Sequence, residues 1–167
     1  MLQSLLMTIS VLISSGEGVE AAYTVNTAES TVEWYAEKVT GKHNGTVVLK
    51  SGELLVTDNK LTGGSFVVDM TTIDNSDLEG EWKDKLVGHL KSDDFFGIEK
   101  FPTASFKMTS AKKGDGNKYT VKGDLTVKGI TNPVEFPAEI VMAGDKVIGS
   151  ATVTIDRSKY NVKYGSG

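Results

Sequence analysis

From Tyr23 onward, apolar and polar residues alternate with a period of two through most of the chain, and few folds accept that pattern. A strand sends successive side chains to opposite faces, so Tyr119, Val121, Leu125 and Val127 share one face while Thr120, Lys122, Asp124 and Thr126 share the other. The same alternation runs through Phe66, Val68, Met70; Ala104, Phe106, Met108; Val134, Phe136, Ala138, Ile140, Met142; and Val147, Ala151, Val153, Ile155. Turn signals separate these runs at Thr62-Gly63-Gly64, Lys113-Gly114-Asp115-Gly116-Asn117, Lys128-Gly129-Ile130 and Ala143-Gly144-Asp145. The expectation is a meandering antiparallel sheet with one face in the core.

One segment breaks the period. Ser76-Asp77-Leu78-Glu79 reads as a capping box, and Leu78, Trp82, Leu86 and Leu90 then recur every four residues, which predicts one amphipathic helix ending near Ser92. A sheet of many strands with a single inserted helix closes most economically as a barrel, because closure removes the exposed edges. The fold class expected is therefore mainly β, an antiparallel barrel with one α-helix between two strands.

The remaining composition narrows the chemistry. At 167 residues without a linker or internal repeat, the chain suits one globular domain. A net charge of −4 with no basic cluster argues against nucleic acid as a partner. The absence of cysteine removes disulfides, thiolate nucleophiles and cysteine metal sites. Met1 to Ser15 is apolar apart from Gln and hydroxyl residues, and Val19-Glu20-Ala21 offers small residues where a signal peptidase reads, so residues 1–21 are expected to be a signal peptide and 22–167 the mature domain. Met1-Leu2-Gln3-Ser4 lacks the usual basic residue of such a leader, and a buried helix is the competing reading. The expected location is periplasmic or secreted, without a membrane anchor.

The inward face is where function would lie. Gly123, Ala138 and Gly149 place small residues in the middle of three consecutive apolar faces, which either leaves room for a ligand or makes room for bulky neighbours such as Phe106 or Trp34. A lumen of Val, Phe, Ile, Met and Ala selects for hydrocarbon, at about 0.8 kcal/mol per buried methylene. The expected ligand contacts are Trp34, Phe66, Phe106, Val121, Leu125, Phe136, Ile140 and Val153, with Trp82, Leu86, Phe95 and Phe96 covering one mouth as a lid. His43, read as lying in a turn before a strand, and His89, near the helix end, are candidates for a head-group clamp or, if they converge beside carboxylates, for a lipid-modifying hydrolase or isomerase. Asp74, Asp77, Glu79 and Glu81 read as charge complementing the helix dipole, since their spacing does not make a calcium loop. No catalytic residue, metal or cofactor is expected. A packed structural or stress-response β domain without ligand remains the alternative from a different class.

Several segments together resemble one family. They are Lys38-Val39-Thr40-Gly41-Lys42-His43-Asn44-Gly45, His89-Leu90-Lys91-Ser92-Asp93-Asp94-Phe95-Phe96, Phe101-Pro102-Thr103-Ala104, Gly123-Asp124-Leu125-Thr126-Val127-Lys128-Gly129-Ile130-Thr131 and Ile155-Asp156-Arg157-Ser158-Lys159-Tyr160, in that order. They are similar to the YceI family. The resemblance runs from about Tyr23 to the last residue and implies a lipocalin-like antiparallel barrel, bacterial and largely periplasmic, that holds a polyisoprenoid or quinone-like lipid for transport or storage. It brings no catalytic residues. Transient membrane contact and a dimer are compatible with it. Members of the family continue past Tyr164-Gly165-Ser166-Gly167 with a closing strand, so the chain is expected to be a fragment whose barrel lacks its final strand and exposes two edges.

Overall fold

A computed structural model of the protein describes residues 20–38 and 41–163. The signal-peptide reading of residues 1–21 falls outside them except for Glu20 and Ala21, which pair with Thr57 and Val56. Eight strands and one helix follow in chain order: β1 (Glu20–Thr24), β2 (Val32–Lys38), β3 (Gly41–Thr57), β4 (Lys60–Asn75), α1 (Gly80–Lys91), β5 (Thr103–Lys113), β6 (Lys118–Val127), β7 (Ile130–Ala143) and β8 (Lys146–Ala151), with a 3-10 turn at Arg157–Tyr160.

All strands pair antiparallel in one sheet of order β1-β3-β4-β5-β6-β7-β8, and β2 also pairs with β3. The long β3 serves both: its first half pairs with β2 from Gly41 to Val47, its second half with β1 from Glu53 to Thr57. The sheet curls into a nearly closed barrel with α1 as the excursion between β4 and β5. Irregular registers between Thr46 and Val48, between Leu49 and Ser51, and between Met108 and Ser110 mark where the pairing shifts, as bulges do in strongly coiled sheets.

The period-two expectation holds best in β6 and β7. Tyr119, Val121, Gly123 and Val127 are buried on one face of β6, and Ala138 and Ile140 on the matching face of β7. The turn at Lys128-Gly129 forms as expected, with φ of 51° and 73°, the positive pair that a two-residue hairpin turn of the twisted sheet requires.

Three local expectations are corrected. Thr62-Gly63-Gly64 is not a turn: Gly63 and Gly64 sit inside β4 opposite Leu55 and Leu54. The chain reverses earlier, at Asp58-Asn59, where both residues take positive φ (51° and 57°) and short polar side chains tolerate it. His43 lies in β3, paired with Ala36 of β2, not in a turn. The last alternating run stops at Ala151, so Val153 and Ile155 follow β8 outside any strand, 40% and 41% exposed.

The buried residues form two clusters. One, at the end covered by α1, joins Val47, Met70, Ile73, Leu90, Ala104, Val127, Tyr160 and Val162. The other joins Leu54, Leu61, Tyr119, Val121, Ala138 and Ile140.

Candidate functional site

Phe66, Phe106 and Phe136 line the second cluster as an aromatic wall that the barrel only half covers, and Leu125 beside them packs against the first. Phe66 of β4 stands opposite Phe106 of β5, and Phe106 stands opposite Leu125 of β6. The rings of Phe106 and Phe136 meet at 5.3 Å between centroids, tilted by 56°. All four side chains are half-buried, whereas Val121 and Ile140 on the same inward faces are buried. Inward positions of β6 and β7 carry no charged side chain: they read Tyr119, Val121, Gly123, Leu125, Val127 and Val134, Phe136, Ala138, Ile140, Met142.

The small residues do not leave open space beneath this wall. A Cβ on Gly123 would overlap the Phe106 ring and come within 2.5 Å of the Lys107 carbonyl oxygen. A Cβ on Gly52 would meet Phe66 at 2.7 Å. Each glycine is the floor on which a phenylalanine ring rests. Gly45 does the same for Trp34, whose indole would lie 2.8 Å from its Cβ and whose Nε1 donates to the Asp74 carbonyl at 3.0 Å. Trp34 therefore acts as a clamp between β2, β3 and β4. Two prominent hollows lie away from the lumen, one of about 500 Å³ at Gly88, Lys91, Ser92, Asp93, Ile98 and Glu99, the other of about 290 Å³ on the outer face from Thr109 through Lys122 to Glu135.

At the opposite end, the expected lid is a packed cover. Leu90 is buried, and Leu86, Phe95 and Phe96 pack half-buried against the first cluster. Phe95 meets Phe96 edge-on at 5.2 Å, His89 at 5.6 Å, and the Arg157 guanidinium at 5.1 Å. Trp82 does not join them; it is 71% exposed. Each step of four residues overshoots a full helical turn by about 40°, so a stripe that faces the core at Leu90 has rotated toward solvent by Trp82. The capping box is also absent, for the N-cap is Glu79 with no side-chain hydrogen bond.

Asp77 and Asn75 do something else, which the sequence reading missed. The Asp77 carboxylate accepts from the Asn44 amide at 2.8 Å and from Asn75 Nδ2 at 2.6 Å, and lies 2.8 Å from His43 Nδ1. Asn75, 1% exposed, also donates to the Asn44 carbonyl at 2.9 Å and accepts from the Leu78 amide at 2.8 Å. Together they fasten the approach to α1 onto β3. The only sequence signal for this was a cluster of polar residues just before the helix, and their partners lie more than thirty residues upstream. Of the other acids in that cluster, Asp74 bonds Lys83 at 2.7 Å and Glu81 sits 3.5 Å from Lys85.

His43 is thus engaged by Asp77 just before α1, and His89 meets Phe95 edge-on in its last turn. The contacts of the two imidazoles are with different partners, a carboxylate for one and a phenylalanine ring for the other. Among the described residues no group of three or more His, Asp or Glu is arranged to hold a metal ion, and no helix is long and apolar enough to cross a membrane.

The amide of Asn44 and then the His43 contact hold the Asp77 carboxyl down at about 2. A depressed carboxylate pKa stabilises the fold above the unfolded value near ~3.9, and that contribution is lost as pH falls through the folded value. Acid unfolding of Asp77→Asn is therefore expected to be less steep between about pH 4 and pH 2 than that of the parent, with lower stability at neutral pH. Parallel pH titrations followed by circular dichroism check this, and superimposable acid transitions would refute it.

Comparison with known proteins agrees with this architecture. The model of the YceI-like domain family matches residues 23–167. Over 78 residues the chain is 40% identical to Protein YceI of Escherichia coli O157:H7, covering 47% of this chain and 37% of that protein. Over 56 residues it is 50% identical to a UPF0312 protein of Photorhabdus laumondii, covering 34% of this chain and 29% of that one. These matches span well under half the length of the curated relatives. Among solved structures, BcnA of Burkholderia cenocepacia superposes with a TM-score of 0.68 at 23% identity, over 86% of both chains. A Campylobacter jejuni YceI protein gives 0.59 at 21% identity, over 87% of this chain and 86% of that one. At such identities the structural likeness establishes the fold.

Proposed function

The chain belongs to the YceI family of barrel proteins, and we propose that it is a non-enzymatic binding protein, periplasmic or secreted, which holds a polyisoprenoid or quinone-like lipid against the inner wall of its barrel for transport or storage. The observation that carries this reading is the wall formed by Phe66, Phe106 and Phe136: apolar, on the inward face, and half-buried where Val121 and Ile140 are fully buried. Apolar surface left partly in water inside a barrel gains free energy when a hydrocarbon chain covers it. Lack of a charged group on the inward faces of β6 and β7 gives an acid or base catalyst nothing to work with there.

A packed β domain without ligand is the second reading, and one observation favours it: Phe106 covers Gly123, so the small residues of the inward face are occupied by rings. A single experiment separates the two. Native mass spectrometry of the full-length protein from its own host, followed by denaturing extraction, is expected to find a prenyl lipid at near one-to-one stoichiometry. In titrations with a long-chain prenyl quinone, Phe136→Ala is expected to weaken binding about tenfold, the equivalent of about 1.4 kcal/mol of lost burial. A folded protein that carries no lipid and binds none would move the assignment to the packed domain.

A further inference from the structure

The chain holds one Asn-Gly pair, Asn44-Gly45, and one Asp-Gly pair, Asp115-Gly116. A glycine in second place leaves its amide nitrogen unshielded by a side chain, so that it can attack the side-chain carbonyl carbon of the residue before it and close a succinimide ring. Asparagine expels ammonia in that step and aspartic acid expels water. The amide reacts the more readily, so in an unfolded chain Asn44 goes first. Ring closure also turns the backbone away from the extended conformation, and there the fold treats the two pairs differently.

Asn44-Gly45 is held inside β3, where Asn44 pairs with Tyr35 of β2, and Gly45 pairs with both Trp34 of β2 and Asn75 of β4. The Asn44 amide donates to Asp77 at 2.8 Å, and its carbonyl accepts from Asn75 Nδ2 and from the Ser76 amide, each at 2.9 Å. Rotation between the two residues breaks these bonds together, so reaction waits for a local opening of the sheet. Asp115-Gly116 is the exposed tip of the hairpin between β5 and β6. The turn is held by the Gly114 amide on the Lys118 carbonyl at 2.8 Å and the Lys118 amide on the Asp115 carbonyl at 3.1 Å, neither of which uses the Gly116 amide. Gly116 takes a φ of 60°, and nothing lies within 4 Å of where a side chain would begin, so the ring has room to form.

We propose that Asp115 is a site of spontaneous isoaspartate formation in the folded protein, and that folding reverses the intrinsic order of the two pairs by locking Asn44. The Gly116 nitrogen bonds the Asp115 carboxyl carbon, and its proton and the carboxyl's hydroxyl leave as one water. Water then reopens the succinimide. Cleavage at the side-chain carbonyl restores aspartate, and cleavage at the main-chain carbonyl routes the peptide through the side chain as isoaspartate.

Folded full-length protein is aged in neutral buffer beside the same protein in urea. Each is mapped peptide by peptide, with an isoaspartate-specific methyltransferase and labelled S-adenosylmethionine as the probe. In the folded sample the label is expected at Asp115, and Asn44 is expected to deamidate at least about a hundredfold more slowly than in urea, as the closing equilibrium of a paired strand requires. Asp115→Asn places the same Asn-Gly pair in the open tip. It is expected to lose ammonia at about its rate in urea while Asn44 in the same chain stays intact. Asp77→Ala removes the acceptor of the Asn44 amide and is expected to raise deamidation of folded Asn44 about tenfold. Circular dichroism verifies that both variants are folded. No label at Asp115, or an Asn44 that deamidates as fast folded as in urea, would overturn the proposal. So would an Asp115→Asn tip as slow as folded Asn44, which would make the hairpin as closed as the strand.

Discussion

Gly45→Ala is expected to cost about 4 kcal/mol and to lower Tm by about 12 °C, a large part of the margin of an ordinary domain. The added methyl would overlap the carbonyl oxygen of Asp74 and press on the Trp34 indole. A flexible side chain could yield, but Asp74 is backbone in a strand that Gly45 itself pairs near, opposite Asn75. Relief requires β3 and β4 to separate where Trp34 Nε1 binds the same carbonyl, so the hydrogen bond and the indole packing are lost together. Gly88→Ala supplies the control. It adds the same methyl inside α1 with nothing within 4 Å, and is expected to stabilise by about 0.5–1 kcal/mol through helix propensity. Thermal unfolding of the two variants should therefore move in opposite directions. If Trp34→Ala restored Gly45→Ala to the stability of Trp34→Ala alone, the indole and not the carbonyl would be the obstacle.

Tyr160→Ala is expected to cost a further about 4 kcal/mol in the otherwise unaltered protein, as buried aromatic truncations do. Tyr160 is 2% exposed and Val162 fully buried, although both follow the last strand. They reach the core because the 3-10 turn folds the chain back. Asp156 accepts from the Ser158 amide at 3.0 Å and hydroxyl at 2.7 Å, Arg157 Nη1 donates to the Val162 carbonyl at 3.0 Å, and Asn161 takes a left-handed φ of 57°. The tyrosine thereby closes the same end of the barrel as Leu90, against Val47, Met70 and Val127. Tyr160→Phe keeps the ring and gives up only the hydroxyl's bond with Asn132, for about 1 kcal/mol. Urea unfolding of both variants checks the difference. A Tyr160→Ala midpoint equal to that of Tyr160→Phe would mean that the ring does not hold this end shut.

The two sites differ in how visible they were beforehand. Tyr160 stood inside a segment similar to a known family, yet nothing in the local pattern of Arg157-Ser158-Lys159-Tyr160 announced a buried ring. Gly45 was one glycine among 18. Its requirement comes from a carbonyl 29 positions away in sequence, brought close by the register of β3 against β4.

What the sequence determined by itself was the class of fold and the side of each strand. Period two is a property of neighbouring residues, so Tyr119 to Val127 and Val134 to Met142 declared their inward faces without reference to anything distant. The helix between β4 and β5 and the hairpin at Lys128-Gly129 were equally local. Depth and occupancy were not. Alternation puts Phe106 and Gly123, and four-residue recurrence puts Trp82, on an apolar stripe, but whether a ring fills the gap over a glycine, or a helix turns its tryptophan to water, depends on strand register and on where the helix begins. The Asp77, Asn75 and Asn44 fastening belongs to the same group, since its partners come together only when β3 and β4 pair. Tertiary structure decided these matters because contacts between distant residues are fixed by how elements meet, and local pattern carries the face of a strand without its neighbours.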